Sequence, residues 1–310
     1  DTMGASNDSS KPIAANAINA LTIVGWARSP KGQSINLRLT RQEPAPIVPV
    51  QAWRGEVLRN GPPPKPPSQL PSPNTHELTV TVTEHLGAGR CGTVFALDTM
   101  RLTNPHDRKV KLLYPQAPHL PELVVKVAGA EHAEALAHEA AMYNEMESLQ
   151  GISIPRAYGL FTADLGKDTL IPSLSAVGSP APRRISLLLL ERLGDTLPLG
   201  DAIPEEGDLW DVFRDLARLG IEQTDIRFSD ILHAPTSPYT LPGEPCPFHG
   251  CVHAYRIIDF DNARKTDLTL KRHYYNTAGY LGPILESAKN NVVLEPWDVK
   301  GSAGMRPSAL

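Results

Sequence analysis

The stretch "ELTVTVTEHLGAGRCGTVFALDT", residues 77–99, constrains the fold of this chain more than any other. Apolar and polar residues alternate on both sides of a glycine cluster. Period-two alternation puts successive side chains on opposite faces of a sheet, so the stretch reads as strand, tight loop, strand. Gly87, Gly89 and Gly92 form G-x-G-x-x-G, continued by Thr93 and Val94. Glycine lets backbone N–H groups approach a phosphate without a side-chain clash. A dinucleotide-binding loop of that pattern precedes a helix. Here a second strand follows, which excludes that reading and leaves a hairpin lying over phosphates.

The remaining segments extend the pattern. "PELVVKVAG" is a third strand, and "IPRAYGLF" and "RISLLLLERLG" are two more. "EHAEALAHEAAMYNEMESLQG" is helical, with Leu136, Ala140, Tyr143 and Met146 at spacings of three and four and Gly151 as its stop. "DLWDVFRDLARLG" is the next helix, with Leu209, Val212, Phe213, Leu216 and Leu219 on one face, and "RIIDFDNA" is a short buried strand leading into acid. This order makes an α+β domain.

Proline is dense from Pro44 to Pro73, with "GPPPKPPSQLPSPN" at its centre. Proline fixes φ and removes a donor, so the segment reads as an extended linker. An SH3- or WW-type ligand is the alternative to a plain spacer, and the spacer is preferred. Residues 1–75 are expected to be largely irregular, apart from "SINLRLT", where Ile35, Leu37 and Leu39 share a strand face.

Composition narrows the function classes. A net charge of −4 gives no global field favouring nucleic acid. Three cysteines, Cys91, Cys246 and Cys251, are too few for a disulfide scaffold and fit a reducing compartment. The most apolar run, Ile185 to Leu190, falls far short of the roughly 20 residues a membrane helix needs. No signal peptide is visible, so a cytoplasmic or nuclear protein is expected.

Five charged positions stand out. Lys126 lies in the apolar run "LVVKVA", where an ammonium is costly unless it meets an anion. Glu139 borders the buried stripe of the following helix, whereas Glu134 sits further from it. In "GIEQTDIRFSDILH", Asp225 and Asp230 stand at the end of a helical pattern, and Asp259 follows the apolar "RII". Carboxylates at the ends of buried segments suit a hard cation that is shared with phosphates, or an acid–base site. Each alone would serve as a cap or turn residue.

In this order, the residues resemble a protein-kinase-like domain over about residues 77–265, of the divergent fungal kinase-like type. The resemblance implies a two-lobed fold. A five-stranded N-lobe sheet plus one helix, with the hinge, would span 76–195, and a reduced, mainly helical C-lobe and tail would span 196–310. It also implies ATP with Mg²⁺ or Mn²⁺. Gly87, Gly89, Gly92 and Val94 would cover the nucleotide, Lys126 would hold the α/β-phosphates and Glu139 would orient Lys126. The backbone of Glu191 to Leu193 would meet adenine, with Leu190 near the gatekeeper position. Asp225 would accept the substrate hydroxyl proton, Arg227 would face the γ-phosphate, and Asp259 and Asp230 would hold the metal.

The pattern also departs from the family. Gln223 stands where the family has His, which should loosen the loop that it braces. Thr224 replaces the arginine that reads a phosphorylated activation loop. Asp230 replaces Asn, and Asp261 replaces the glycine of Asp-Phe-Gly. An active phosphotransferase acting on a protein or small-molecule hydroxyl is placed ahead of a pseudokinase that serves as a nucleotide-binding or scaffold module. In the insertion "PTSPYTLPGEPCPFHGCVHAYR", Cys246, His249, Cys251 and His253 match no standard zinc finger, and ligands this close on one turn are hard to aim at one ion. A surface hairpin with incidental Cys and His is expected there, and Cys91 is expected to line the nucleotide site.

Overall fold

The computed structural model describes residues 12–51, 59–73, 75–103, 111–113, 120–166, 169–174 and 183–294. Its elements are β1 (Ile18–Arg28), β2 (Ser34–Gln42), β3 (His76–Gly89), β4 (Gly92–Thr103), β5 (Lys111–Leu113), β6 (Leu123–Gly129), α1 (Ala133–Glu145), β7 (Ala157–Asp164), β8 (Arg184–Glu191), α2 (Glu206–Arg218), β9 (Ile221–Glu222), β10 (Ile231–His233), β11 (Tyr255–Ile257), β12 (Arg264–Lys265) and α3 (Leu270–Lys289).

The expected five-stranded sheet is corrected to a closed barrel. The order is β3-β1-β2-β7-β8-β6-β4, and β3 pairs back onto β4 to close a ring of seven strands. The five expected strands are present, but β1 and β2 fill the gap between β7 and β3. β1 runs parallel to β3 and antiparallel to β2. Closure leaves these strands without an open edge. β5 adds to the far end of β4, at Arg101–Thr103.

The expectation of a largely irregular segment up to residue 75 is therefore wrong over Ile18–Gln42. Leu37 and Leu39 are buried inside the barrel with Ile35 packed beside them, as the alternation in "SINLRLT" requires. β1 was harder to read because its register shifts between Ile23 and Ala27, which breaks the period-two pattern.

The wall formed by β6 and β8 is buried on both faces, which explains its near-continuous apolar sequence. Leu123, Val125 and Val127 point into the barrel with Leu187 and Leu189. Val124 and Ala128 point outward, with Leu188 and Leu190, into a second core. α1 lies on this outer face and contributes Leu136, Ala140 and Tyr143 to it. α2 adds Leu209, Val212, Phe213 and Leu216 to the same core, each worth about 1.5–3 kcal/mol when fully buried. α3 is capped by Thr269, whose hydroxyl accepts from the Arg272 amide, and buries Leu281, Ile284 and Leu285. Among the described residues, it is the one helix that follows Asp259.

The proline-rich segment is irregular where it is described, but it is docked rather than loose. The Arg59 amide donates to Asp267 O and its guanidinium to Ala217 O, both at 2.8 Å. Further along, the Ser68 hydroxyl and the Gln69 amide donate to the Glu147 carboxylate at 2.8 Å. The segment thus straps the second core on its way from β2 to β3. No helix among the described residues is long and apolar enough to cross a membrane.

Candidate active site

Period-two geometry on β6 sends Lys126 to the outer face, towards α1. Glu139 lies three residues after Leu136 and four before Tyr143, both fully buried, so it shares their stripe and is itself 1% exposed. Glu134 is exposed. Lys126 Nζ donates to Glu139 Oε2 at 2.7 Å and to Asp259 Oδ1 at 2.6 Å. One ammonium thus joins a strand, a helix and the segment after β11. Burial alone would lower the Lys126 pKa, but Glu139 and Asp259 outweigh it and hold the ammonium well above its ordinary range. Burial pushes Glu139 up to about 7, with Lys126 opposing the rise and Asp259 adding to it.

Asp259 is held in the left-handed backbone region, at φ 63°. Such a conformation costs on the order of 1–3 kcal/mol and persists only where its surroundings fix it. They do so here from both sides. Phe260 is fully buried and meets Tyr143 edge to face, with ring centroids 5.3 Å apart. The Gln223 side-chain amide donates to Asp259 O at 2.6 Å. The expected loosening at Gln223 is thus met by a direct brace.

The segment from β9 to β10 carries the other acids. Asp225 is half-buried; its Oδ2 accepts from Arg227 at 3.1 Å and from the Asn262 side-chain amide at 3.2 Å. Thr224 donates to Asn262 O at 3.0 Å, so Asn262 ties the two segments together. Asp230 closes a single 3-10 turn, where its Oδ2 accepts from the Arg227 amide at 2.9 Å. Its pKa is raised well above the carboxylate range, by burial first and by the charge of Asp259 second. Arg227 therefore contacts both Asp225 and Asp230.

The glycine hairpin forms as expected, with Gly89 opposite Gly92. A Cβ on Gly92 would lie 2.6 Å from Val127 O, so only glycine lets the hairpin come this close to β6. A Cβ on Gly87 would meet nothing within 4 Å. Val94 stands opposite Lys126 in the β4–β6 ladder. At the hairpin tip, Arg90 pairs with Asp261 at 3.0 Å. Cys91 is buried beside the same carboxylate; burial first, and Asp261 second, push its thiol up to about 11. It is held as a thiol rather than a thiolate at neutral pH.

At the end of β8, the amides of Glu191 and Arg192 donate to Arg156 O and Glu122 O, at 2.9 and 2.8 Å. The Glu191 carboxylate is buried against Arg156 at 2.8 Å, a structural role that the sequence did not reveal. Leu190 is buried opposite Val124, and Leu193 is half-buried. Asn262, Arg90 and the carboxylate of Asp261 were also missed as partners. Each acts through contacts between segments far apart in sequence, and no local pattern signals them.

No protein-family model and no curated protein matches the chain. Among solved structures it is similar to a crystal structure described as the kinase domain of PF14_0431, at 16% identity and a TM-score of 0.35, over 60% of this chain and 51% of that one. The chain thus spans about half the length of that kinase-domain structure. A likeness of this degree carries no argument, so the functional reading rests on the site itself.

Proposed function

We propose that the chain is an ATP-dependent phosphotransferase that moves the γ-phosphoryl group to a hydroxyl. The observation that carries this reading is Lys126 bound to both Glu139 and Asp259. A buried ammonium with two carboxylate partners from separate elements is costly to build for stability alone, because desolvation offsets most of the attraction. Oriented in this way, Lys126 suits the α/β-phosphates. A Cβ on Gly87 would meet nothing within 4 Å, and on this reading that space would admit phosphates. Asp225 would take the proton of the attacking hydroxyl as the phosphorus–oxygen bond forms and ADP leaves, with Arg227 beside it to meet the γ-phosphate. The backbone from Glu191 to Leu193 would border the adenine.

The acids fit a divalent cation. Glu139 and Asp259 both bind Lys126, and the charge of Asp259 helps to raise Asp230. Asp259 and Asp230 would hold Mg²⁺ or Mn²⁺, which when bound neutralises phosphate charge.

The test has two stages. ATP with Mg²⁺ or Mn²⁺ should raise the melting temperature relative to ATP with chelator, and Asp259→Asn should abolish the rise. Binding at a hundred times Kd stabilises by about 2.7 kcal/mol. Asp225→Ala should leave the rise intact and cut turnover by about 10²–10⁴-fold. A second reading, a nucleotide-binding module without turnover, is favoured by the Arg227–Asp225 pair and by the Asp230 oxygen bound to its own loop. Metal-dependent binding with no detectable turnover would select it, and turnover unchanged by Asp225→Ala would remove Asp225 as the base. No binding with either metal would remove both.

A further inference from the structure

Asp215, in the middle of α2, is fully buried. Its Oδ2 accepts from Ser153 Oγ at 2.8 Å and Cys246 Sγ at 3.1 Å, and lies 3.0 Å from His253 Nε2. Its Oδ1 is buried and has no hydrogen-bond partner. A buried carboxylate oxygen without a hydrogen bond is rare and calls for a positive group nearby. His249 Nδ1 lies 3.4 Å from that oxygen and 3.4 Å from Cys246 Sγ. The ligand atoms of Asp215, Cys246, His249 and His253 all lie within 4.8 Å of one another.

We infer that Asp215, Cys246, His249 and His253 form a structural zinc site. Zinc at about 2.0–2.3 Å from four tetrahedral ligands separates them by about 3.3–3.7 Å. The two His249 contacts, 3.4 Å to Asp215 Oδ1 and 3.4 Å to Cys246 Sγ, fall in that range. The donors, one thiolate, two imidazoles and one carboxylate, are those zinc prefers. Four protein ligands leave no open position, so the role is bracing rather than catalysis.

Two details around the cluster support the assignment. His253 Nδ1 lies 2.5 Å from Asp208 Oδ1, the carboxylate–histidine arrangement that orients a metal-bound imidazole and leaves its Nε2 for the ion. Asp208 Oδ2 is committed to the Ala254 amide at 2.8 Å, which fixes that carboxylate in place. The Phe248 amide also points at Cys246 Sγ, at 3.4 Å, as a donor to a thiolate would. Cys251 is exposed. The sequence offered four candidates on one short turn, and the geometry replaces Cys251 with a residue from a helix 31 positions before Cys246. That exchange removes the difficulty of aiming adjacent ligands at one ion.

The site would pin the insertion between β10 and β11 onto α2. β11 leads directly to Asp259, so the pin would steady one approach to the proposed nucleotide site without entering it. The inference does not depend on the phosphotransferase reading.

The test is metal analysis of the full chain, purified under reductant without chelator. One zinc per chain is expected. Replacement by Co²⁺ should give the visible bands of a tetrahedral ion and a thiolate charge-transfer band. Cys246→Ser should remove the charge-transfer band, Cys251→Ser should leave it, and Asp208→Asn should weaken metal affinity by about 10–100-fold with the spectrum kept. The cobalt spectrum of the unaltered chain decides the matter even where a variant fails to fold. Folded chain without stoichiometric metal, a cobalt spectrum without the thiolate band, or loss of that band in Cys251→Ser would each overturn the assignment.

Discussion

One wall separates two cores of opposite chemistry. On the inner face of β6 and β8, Val125, Val127, Leu187 and Leu189 meet Phe161 and Phe95 in the apolar interior of the barrel. On the outer face of the same strands, Lys126 meets Glu139 and Asp259, and the core around it takes in Asp230, Gln223 and Arg256 as buried polar groups. Adjacent residues on one strand thus differ wholly in role. The barrel interior is walled by strands on every side, so a polar group there would find no partner. The outer face is covered by helices and loops, whose side chains can be supplied to match. The difference teaches where chemistry can be built on this fold: on a sheet face that a helix covers.

The comparison breaks most easily at Phe161. Phe161→Ala opens a cavity in a closed interior that cannot collapse around it, and should cost about 3–5 kcal/mol. Below the lowered melting temperature, nucleotide-dependent stabilisation should persist. A variant that loses binding at a temperature where it remains folded would show that the two faces are coupled.

The outer face should respond differently. Lys126→Met leaves Glu139 buried without its cation and should cost about 2–3 kcal/mol, limited because Glu139, already shifted to about 7, can take up a proton. Adding Glu139→Leu should return much of that loss, since an apolar pair of similar volume no longer needs desolvated charge. Both variants should lose the nucleotide response. Stability that is not recovered in the double variant would mean that the pair holds the fold rather than the ligand.

Much of this wall was legible from the sequence because its signals are local. The alternation around Gly87–Gly92, the lysine in "LVVKVA" and the Leu136–Tyr143 stripe placed Lys126 and Glu139 together correctly. Barrel closure was not legible. It depends on β1, where a bulge hides the period, pairing with strands far along the chain. The same limit explains Asp215: on α2 it reads as a polar residue beside an apolar stripe, and its partners come from Ser153 and from the return of the insertion. Arg90–Asp261 and Asn262–Asp225 are likewise products of packing, not of spacing.

A further test of the second core's tolerance for polar groups lies at His273 in α3. Burial, and secondarily Arg59, depress its pKa to about 4. Above pH 6.5 the imidazole is neutral in both folded and unfolded states. As pH falls below 6.5 the unfolded chain binds the proton first, so stability drops until the native state titrates near 4. By pH 5 the loss should be about 2 kcal/mol relative to neutral pH. His273→Gln should flatten that part of the profile. An unchanged acid slope would mean that His273 reaches solvent in the folded protein.

The smallest effect is the sharpest discriminator, because it sets two glycines of one hairpin against each other. A Cβ at Gly92 would lie 2.6 Å from the Val127 carbonyl oxygen, which is backbone and cannot step aside. Gly92→Ala should therefore destabilise the β4–β6 contact. A Cβ at Gly87 meets nothing within 4 Å, and its φ lies outside the left-handed region. Gly87→Ala should stabilise by about 0.4–1 kcal/mol, through the reduced freedom of the unfolded chain. Gly87 sits where the β3–β4 register shifts, and a Cβ there would meet no neighbour. On the phosphotransferase reading, Gly87→Ala should weaken the ATP-dependent rise in melting temperature while raising the unliganded melting temperature. A rise in both would detach the hairpin from the nucleotide and leave the site to Lys126, Glu139 and Asp259 alone.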